Sequence, residues 1–174
     1  NVYLGGYPGP LRALAGIWAE EIDALAPEQT NTVRFTDGTT AKCRIVCDLI
    51  HTEGAESLAS YASDFYEGMP AVTRNAYGSG ITYYLATDMD ATGIAKVLDC
   101  AMEDGNVTAV ITEPTQLEIT KRTTEAATYY FVMNFRDEAA PLPASLGGKL
   151  DLLTGKQTEA GELMNKFDVK IIQE

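Results

Sequence analysis

Cysteine is scarce in this chain, and its three copies, Cys43, Cys47 and Cys100, form no CxxC pair. So sparse and odd a set excludes a disulfide framework and argues against a zinc site. Free, buried thiols in a reducing cytoplasm are the expected state. Histidine and tryptophan occur once each, as His51 and Trp18. Basic residues number 13 against 25 acidic ones, a net charge of −12. That sign repels phosphate backbones, so nucleic acid is not an expected partner. The charge is uneven: residues 1–113 hold 6 basic and 16 acidic residues, net −10, and residues 114–174 hold 7 and 9, net −2. No apolar run approaches the roughly 18 residues of a membrane span. No basic stretch leading into an apolar one opens the chain, so a signal peptide is not expected.

Several motifs are missing. There is no Gly-x-Ser-x-Gly or equivalent cysteine elbow, which leaves a hydrolase or amidotransferase nucleophile unsupported. There is no phosphate-binding GxxxxGK[ST] and no GxGxxG between a strand and a helix. Gly5-Gly6-Tyr7-Pro8-Gly9 precedes an apolar stretch, but its spacing fits no phosphate motif and a plain loop is the reading it supports.

What is present is an apolar fraction of 45%, enough for a core in one domain or two small ones. Leu11, Leu14, Ile17, Trp18, Ile22 and Leu25 recur at helical spacing after Pro10, predicting a first helix that Ala26-Pro27 ends. On it Leu14, Ile17, Trp18 and Ile22 would share a buried face, with Glu20, Glu21 and Asp23 solvated. Thr32–Ile50 reads as a hairpin turning at Asp37-Gly38, with Cys43, Ile45 and Cys47 alternating on the outgoing strand. His51 follows it beside Glu53, where local hydrogen bonding is a simpler role than general base or metal ligand. Ala55–Tyr66 is expected to form a second helix closed by Gly68. Val72 opens a further hairpin turning at Tyr77-Gly78-Ser79-Gly80, with Ile81, Tyr83, Leu85 and Thr87 alternating. Asp90 is a candidate N-cap for a third helix whose buried stripe would be Ile94, Val97, Leu98 and Ala101. Beyond Glu113-Pro114 the pattern becomes strand-like, at Leu117–Arg122, Thr128–Phe135, Leu150–Leu153 and Asp168–Gln173. Short strands with frequent turns predict a small β-sandwich. The boundary is therefore expected between 1–113 and 114–174. The tyrosine pairs 83/84 and 129/130 suggest sugar stacking less than packing, since neighbours on a strand face opposite ways.

Three segments carry a resemblance. They are Gly9-Pro10-Leu11-Arg12 with Gly16-Ile17-Trp18-x-Glu20-Glu21-x-Asp23-x-Leu25, Cys47-Asp48-Leu49-Ile50 with Ala55-Glu56-x-Leu58-Ala59-x-Tyr61, and the run Phe65 to Gly80 with Tyr83-Tyr84 after it. Together they resemble the trimerisation domain of the bacterial β-galactosidases of glycoside hydrolase family 42. Glu118–Arg122 and Tyr130–Asn134 look like that family's small C-terminal β domain. The resemblance implies an incomplete α/β domain, flavodoxin-like or amidotransferase-like, with an open sheet and flanking helices, then an all-β sandwich. It also implies a cytoplasmic homotrimer that removes terminal non-reducing β-D-galactose by a retaining, two-glutamate mechanism. Those glutamates sit on a (β/α)₈ barrel that this chain lacks. No catalytic, cofactor-binding or metal-ligating residue is assigned here, and substrate would meet only the absent barrel.

Two other readings compete. A free-standing carbohydrate-binding module would need exposed aromatics on one β face. An amidotransferase-like enzyme would need a cysteine on a strand-to-helix elbow with a histidine partner, and Cys43, Cys47 and Cys100 are not so placed in the pattern.

Overall fold

A computed structural model describes residues 6–174; the segment Val2-Tyr3-Leu4 and Gly5 of the early loop lie outside the described residues. The chain divides into two compact units between Val107 and Thr108. Among the described residues of the first unit, one helical turn, α1 (Arg12–Ala15), leads into seven strands and a single long helix. The strands are β1 (Ile17–Ala24), β2 (Asn31–Phe35), β3 (Thr40–Thr52), β4 (Glu56–Tyr61), β5 (Pro70–Tyr77), β6 (Gly80–Leu85) and β7 (Thr87–Met89). They form one sheet in the order β1-β3-β2-β4-β5-β6, with β7 also on β3. Helix α2 (Ala91–Asp104) follows.

Every pairing in this sheet is antiparallel among the described residues. The open α/β sheet flanked by helices is thus not the arrangement seen here. Two expected helices are strands instead. Gly16, at φ 63°, takes the left-handed conformation that closes α1 after four residues. The chain then runs extended against the second half of β3, from Ile17 opposite Thr52 to Ala24 opposite Val46. Ile17 is buried, Leu14 and Trp18 are half-buried and Ile22 is exposed, so the four share no buried face. In place of the second helix, β4 lies between β2 and β5, with Ala59 and Tyr61 facing the core.

Both hairpins form where the turn residues place them. β2 and β3 are joined through Asp37-Gly38, where Gly38 has φ 88°. β5 and β6 are joined by Gly78-Ser79, and Tyr77 pairs with Gly80. Asp90 caps α2, its carboxylate accepting from the backbone N–H groups of Thr92 and Gly93. The predicted stripe on α2 is only partly buried. Gly93 and Val97 pack inward, whereas Ile94 and Leu98 point outward with Met102. A Cβ at Gly93 would stand 2.9 Å from Ala41 and Met89, and this close approach sets which side of the helix meets the sheet. The core joins Ile17, Val33, Cys43, Cys47, Ile50, Tyr61, Tyr66 and Val72. Tyr61 is 2% exposed, and its hydroxyl donates to the carbonyls of Ala86 (2.9 Å) and Asp48 (3.2 Å).

The second unit is all β. Its strands are β8 (Glu118–Thr123), β9 (Thr128–Met133), β10 (Ala140–Pro141), β11 (Leu150–Asp151), β12 (Lys156–Gln157), β13 (Leu163–Met164) and β14 (Val169–Gln173). A five-stranded antiparallel sheet runs β12-β11-β14-β9-β8, and β10 pairs with β13 separately. Val132 and Ile172 from the large sheet share one core with Ala140 and Met164 from the small one, beside Leu142 and Leu146. Asn134, fully buried, holds the crossing: its amide donates to the carbonyls of Met164 (2.8 Å) and Glu138 (2.9 Å).

Candidate functional site

The β1–β3 register sets Trp18 opposite His51. Their rings stack at 4.6 Å between centroids and 16° between planes. Glu20 is the extra residue of a β-bulge between Ala19 and Glu21. A bulge re-aims its side chain, and Glu20 Oε2 lies 2.7 Å from His51 Nε2. Arg12, at the start of α1, forms a forked ion pair with Glu53 and stands 5.9 Å from the Trp18 ring. The hydrogen bonds of that pair, more than the bare charges, raise the guanidinium pKa and lower that of the carboxylate. The polar partner of the histidine is thus Glu20, brought by strand pairing, while its sequence neighbour Glu53 is held by Arg12.

A second polar cluster joins the end of α2 to the β5–β6 hairpin. Arg74 donates from Nε (2.6 Å) and Nη2 (2.8 Å) to the two carboxylate oxygens of Asp104. The Tyr83 hydroxyl donates to the same carboxylate. The guanidinium first, and then the tyrosine hydroxyl, hold the Asp104 pKa down at about 2. Burial, and then the bond to Asp104, push the Tyr83 phenol up to about 12. Glu56 stands 3.9 Å from Arg74. On the neighbouring residue, the Tyr84 hydroxyl donates to buried Asp48 (2.5 Å) and to Tyr7 (3.2 Å). Tyr83 and Tyr84 are both half-buried and hydrogen-bonded, and Tyr130 donates to Glu174 at 2.9 Å.

Chemically these clusters neutralise and tether. Glu20, Glu53, Glu56 and Asp104 each face a histidine or an arginine. Among the described residues no group of three or more His, Cys, Asp and Glu side chains is placed to hold a metal ion. Gly6 and Gly9 close a turn in the early loop, Gly9 N–H donating to the Gly6 carbonyl at 2.7 Å. Cys43 and Cys47 are buried and unpaired, and Cys100 is half-buried. Sequence reasoning missed the Arg74–Asp104–Tyr83 cluster. Its members come from three elements, and nothing in the spacing of residues 74, 83 and 104 signals contact.

The chain matches the family model of the β-galactosidase trimerisation domain over residues 1–108. It matches that of the β-galactosidase C-terminal domain over residues 116–174. The chain belongs to the family 42 β-galactosidases. Among its curated relatives are β-galactosidase LacA of Lactobacillus acidophilus, 41% identical over 174 residues, and BgaA of Planococcus sp., 39% identical over 176. These alignments cover 99% and 98% of this chain but 26% of each relative, so the chain spans about a quarter of their length. Among solved structures, the β-galactosidase from Bacillus circulans sp. alkalophilus superposes with a TM-score of 0.85 at 37% identity, over 100% of this chain and 26% of that one. What this family 42 chain contains is the trimerisation and C-terminal domains, and the described residues include no (β/α)₈ barrel. No helix among them is long and apolar enough to cross a membrane.

Proposed function

We propose that the chain is the assembly and support portion of a β-galactosidase that hydrolyses terminal non-reducing β-D-galactose residues. The observation that carries this reading is the pair of family matches, in order along nearly the whole chain. In this reading a retaining reaction runs on two glutamates of a barrel outside these residues, and the chain alone is inactive. Retaining hydrolysis needs two carboxyl groups about 5–5.5 Å apart across a cleft. Of the acids weighed from the sequence, Glu53 and Glu56 instead face arginines and Glu20 faces the His51 ring.

The parent enzyme, in this proposal, is a cytoplasmic homotrimer joined through the first unit. A net charge of −12 opposes association, so apolar surface has to drive it. Ile94, Leu98 and Met102 along α2, and Ile22 and Ile45 near the β1 edge, offer such surface. The flavodoxin-like and amidotransferase-like description is retained as a proposal for the whole parent domain, supported by family membership. The functional boundary proposed at Glu113-Pro114 lies between the two family matches. Light scattering of the full-length parent should give three times the protomer mass; a monomer at all concentrations would contradict the assembly role.

A further inference from the structure

In a regular strand, residues four apart are about 13 Å apart along the chain, well beyond disulfide range. Cys43 and Cys47 escape that limit. On β3 they pair with Met89 and Thr87, which are only two residues apart on β7. Four steps of β3 are therefore compressed into two steps of its partner, about 6.8 Å. That meets the upper end of the Cα spacing of disulfides, about 4.4–6.8 Å. The excess is absorbed between Arg44 and Cys47, where the register shifts and Ile45 sits at φ 68°. A β-branched residue in the left-handed region is strained, and this kink is where β3 shortens between the two cysteines.

Both cysteines are buried, at 1% and 0% exposure, in the same core cluster. Each thiol acts on the other, which is the main reason that the Cys47 pKa falls and the Cys43 pKa rises. Thr87 Oγ1 lies 3.7 Å from Cys47 Sγ. The Tyr66 hydroxyl, 1% exposed and without a conventional hydrogen-bond partner, also favours the Cys47 thiolate. An orphaned buried donor calls for an acceptor, and a thiolate supplies one. Cys43 in turn lines a surface cavity with Thr30, Lys42, Arg44, Asp90 and Ala91, so the dithiol lies just beneath the surface.

We propose that Cys43 and Cys47 are an oxidative modification site, a dithiol that a peroxide converts to an intrastrand disulfide across the β3 bulge. The Cys47 thiolate attacks one peroxide oxygen, the O–O bond breaks, and the sulfur becomes a sulfenic acid as hydroxide leaves. The Cys43 sulfur then attacks that sulfur, the S–O bond breaks, and the Cys43 proton leaves with the oxygen as water. In total two thiols and one peroxide give one disulfide and two waters. This goes beyond the assembly role and does not depend on it.

The test is peptide mapping of the chain after hydrogen peroxide, with quenching, unfolding and alkylation by N-ethylmaleimide. Cys43 and Cys47 should resist alkylation together and yield a linked peptide pair lacking two hydrogens, while Cys100 stays alkylated. The folded chain should cross-link at least about tenfold faster than the chain unfolded in denaturant, because the fold sets both thiolate character and proximity. In Cys43→Ala, or in Cys43→Ser if the alanine variant unfolds, Cys47 should stop at a sulfenic acid trapped by dimedone. The proposal is overturned if both thiols remain alkylable once Cys100 has oxidised, or if the disulfide involves Cys100. Equal rates in the folded and unfolded chain, or no trapped sulfenic acid in either variant, would overturn it as well.

Discussion

Gly16 is where a helical turn becomes an edge strand. Its φ of 63° is one requirement for glycine, and its surroundings are another: an added Cβ would lie 2.6 Å from the Asn75 carboxamide. That carboxamide is itself committed, donating to the carbonyls of Leu14 (2.8 Å) and Ala13 (3.3 Å) at the open end of α1. The Gly16 carbonyl accepts from the N–H groups of Glu53 (2.6 Å) and Ala55 (3.3 Å), binding the turn to the end of β3. Gly16→Ala should therefore lose both the backbone conformation and the Asn75 bonds, a destabilisation of about 2–4 kcal/mol. Urea unfolding followed by Trp18 fluorescence measures it, and an unchanged midpoint would show that the turn relaxes freely.

Helix α2 is attached to the sheet at both ends. At its start, Asp90 accepts from Thr92 and Gly93 through one oxygen and from the Lys42 N–H of β3 (3.0 Å) through the other. Asp90→Ala should cost about 1–2 kcal/mol, the upper range for a helix cap, seen as a lower urea midpoint. At its end, Asp104 is gripped by Arg74 and Tyr83. Its pKa is depressed to about 2, so its contribution to stability is present above the usual carboxylate range and is lost as pH falls. Thermal unfolding between pH of about 4 and about 2 should fall less steeply in Asp104→Asn than in the native chain. Parallel curves would contradict the assignment. The α2 cap and the two hairpins were legible in the sequence because each is set by a local residue: Asp90, Asp37-Gly38 and Gly78. The strands β1 and β4 were not, and the reason is physical. Both contain bulges, at Glu20 and around Ser57–Ser60, that break the period-two alternation. In β1 the broken pattern mimics helical spacing, while pairing with β3 decides the outcome. His51 was legible as a hydrogen-bonded side chain, but its partners Trp18 and Glu20 reach it only through that strand pairing.

At the scale of the molecule, each unit has its own buried core, one around Ile17, Tyr61 and Val72 and one around Val132, Leu146 and Ile172. The first unit leaves large apolar side chains in contact with solvent, with Leu98 56% exposed and Ile45 60% exposed. Such surface suits a part made to be covered by other protein, whereas Glu53 and Asp104 act as tethers between elements. In the proposed reading, this chain supports assembly and does no chemistry of its own. The measurement that tests it most directly is release of nitrophenol from a nitrophenyl β-galactoside, by the purified chain and by its full-length parent in parallel. The parent should turn the substrate over and the chain should not. Turnover by the chain that disappears in Glu53→Gln or Glu56→Gln would contradict it and place an active site beside β4.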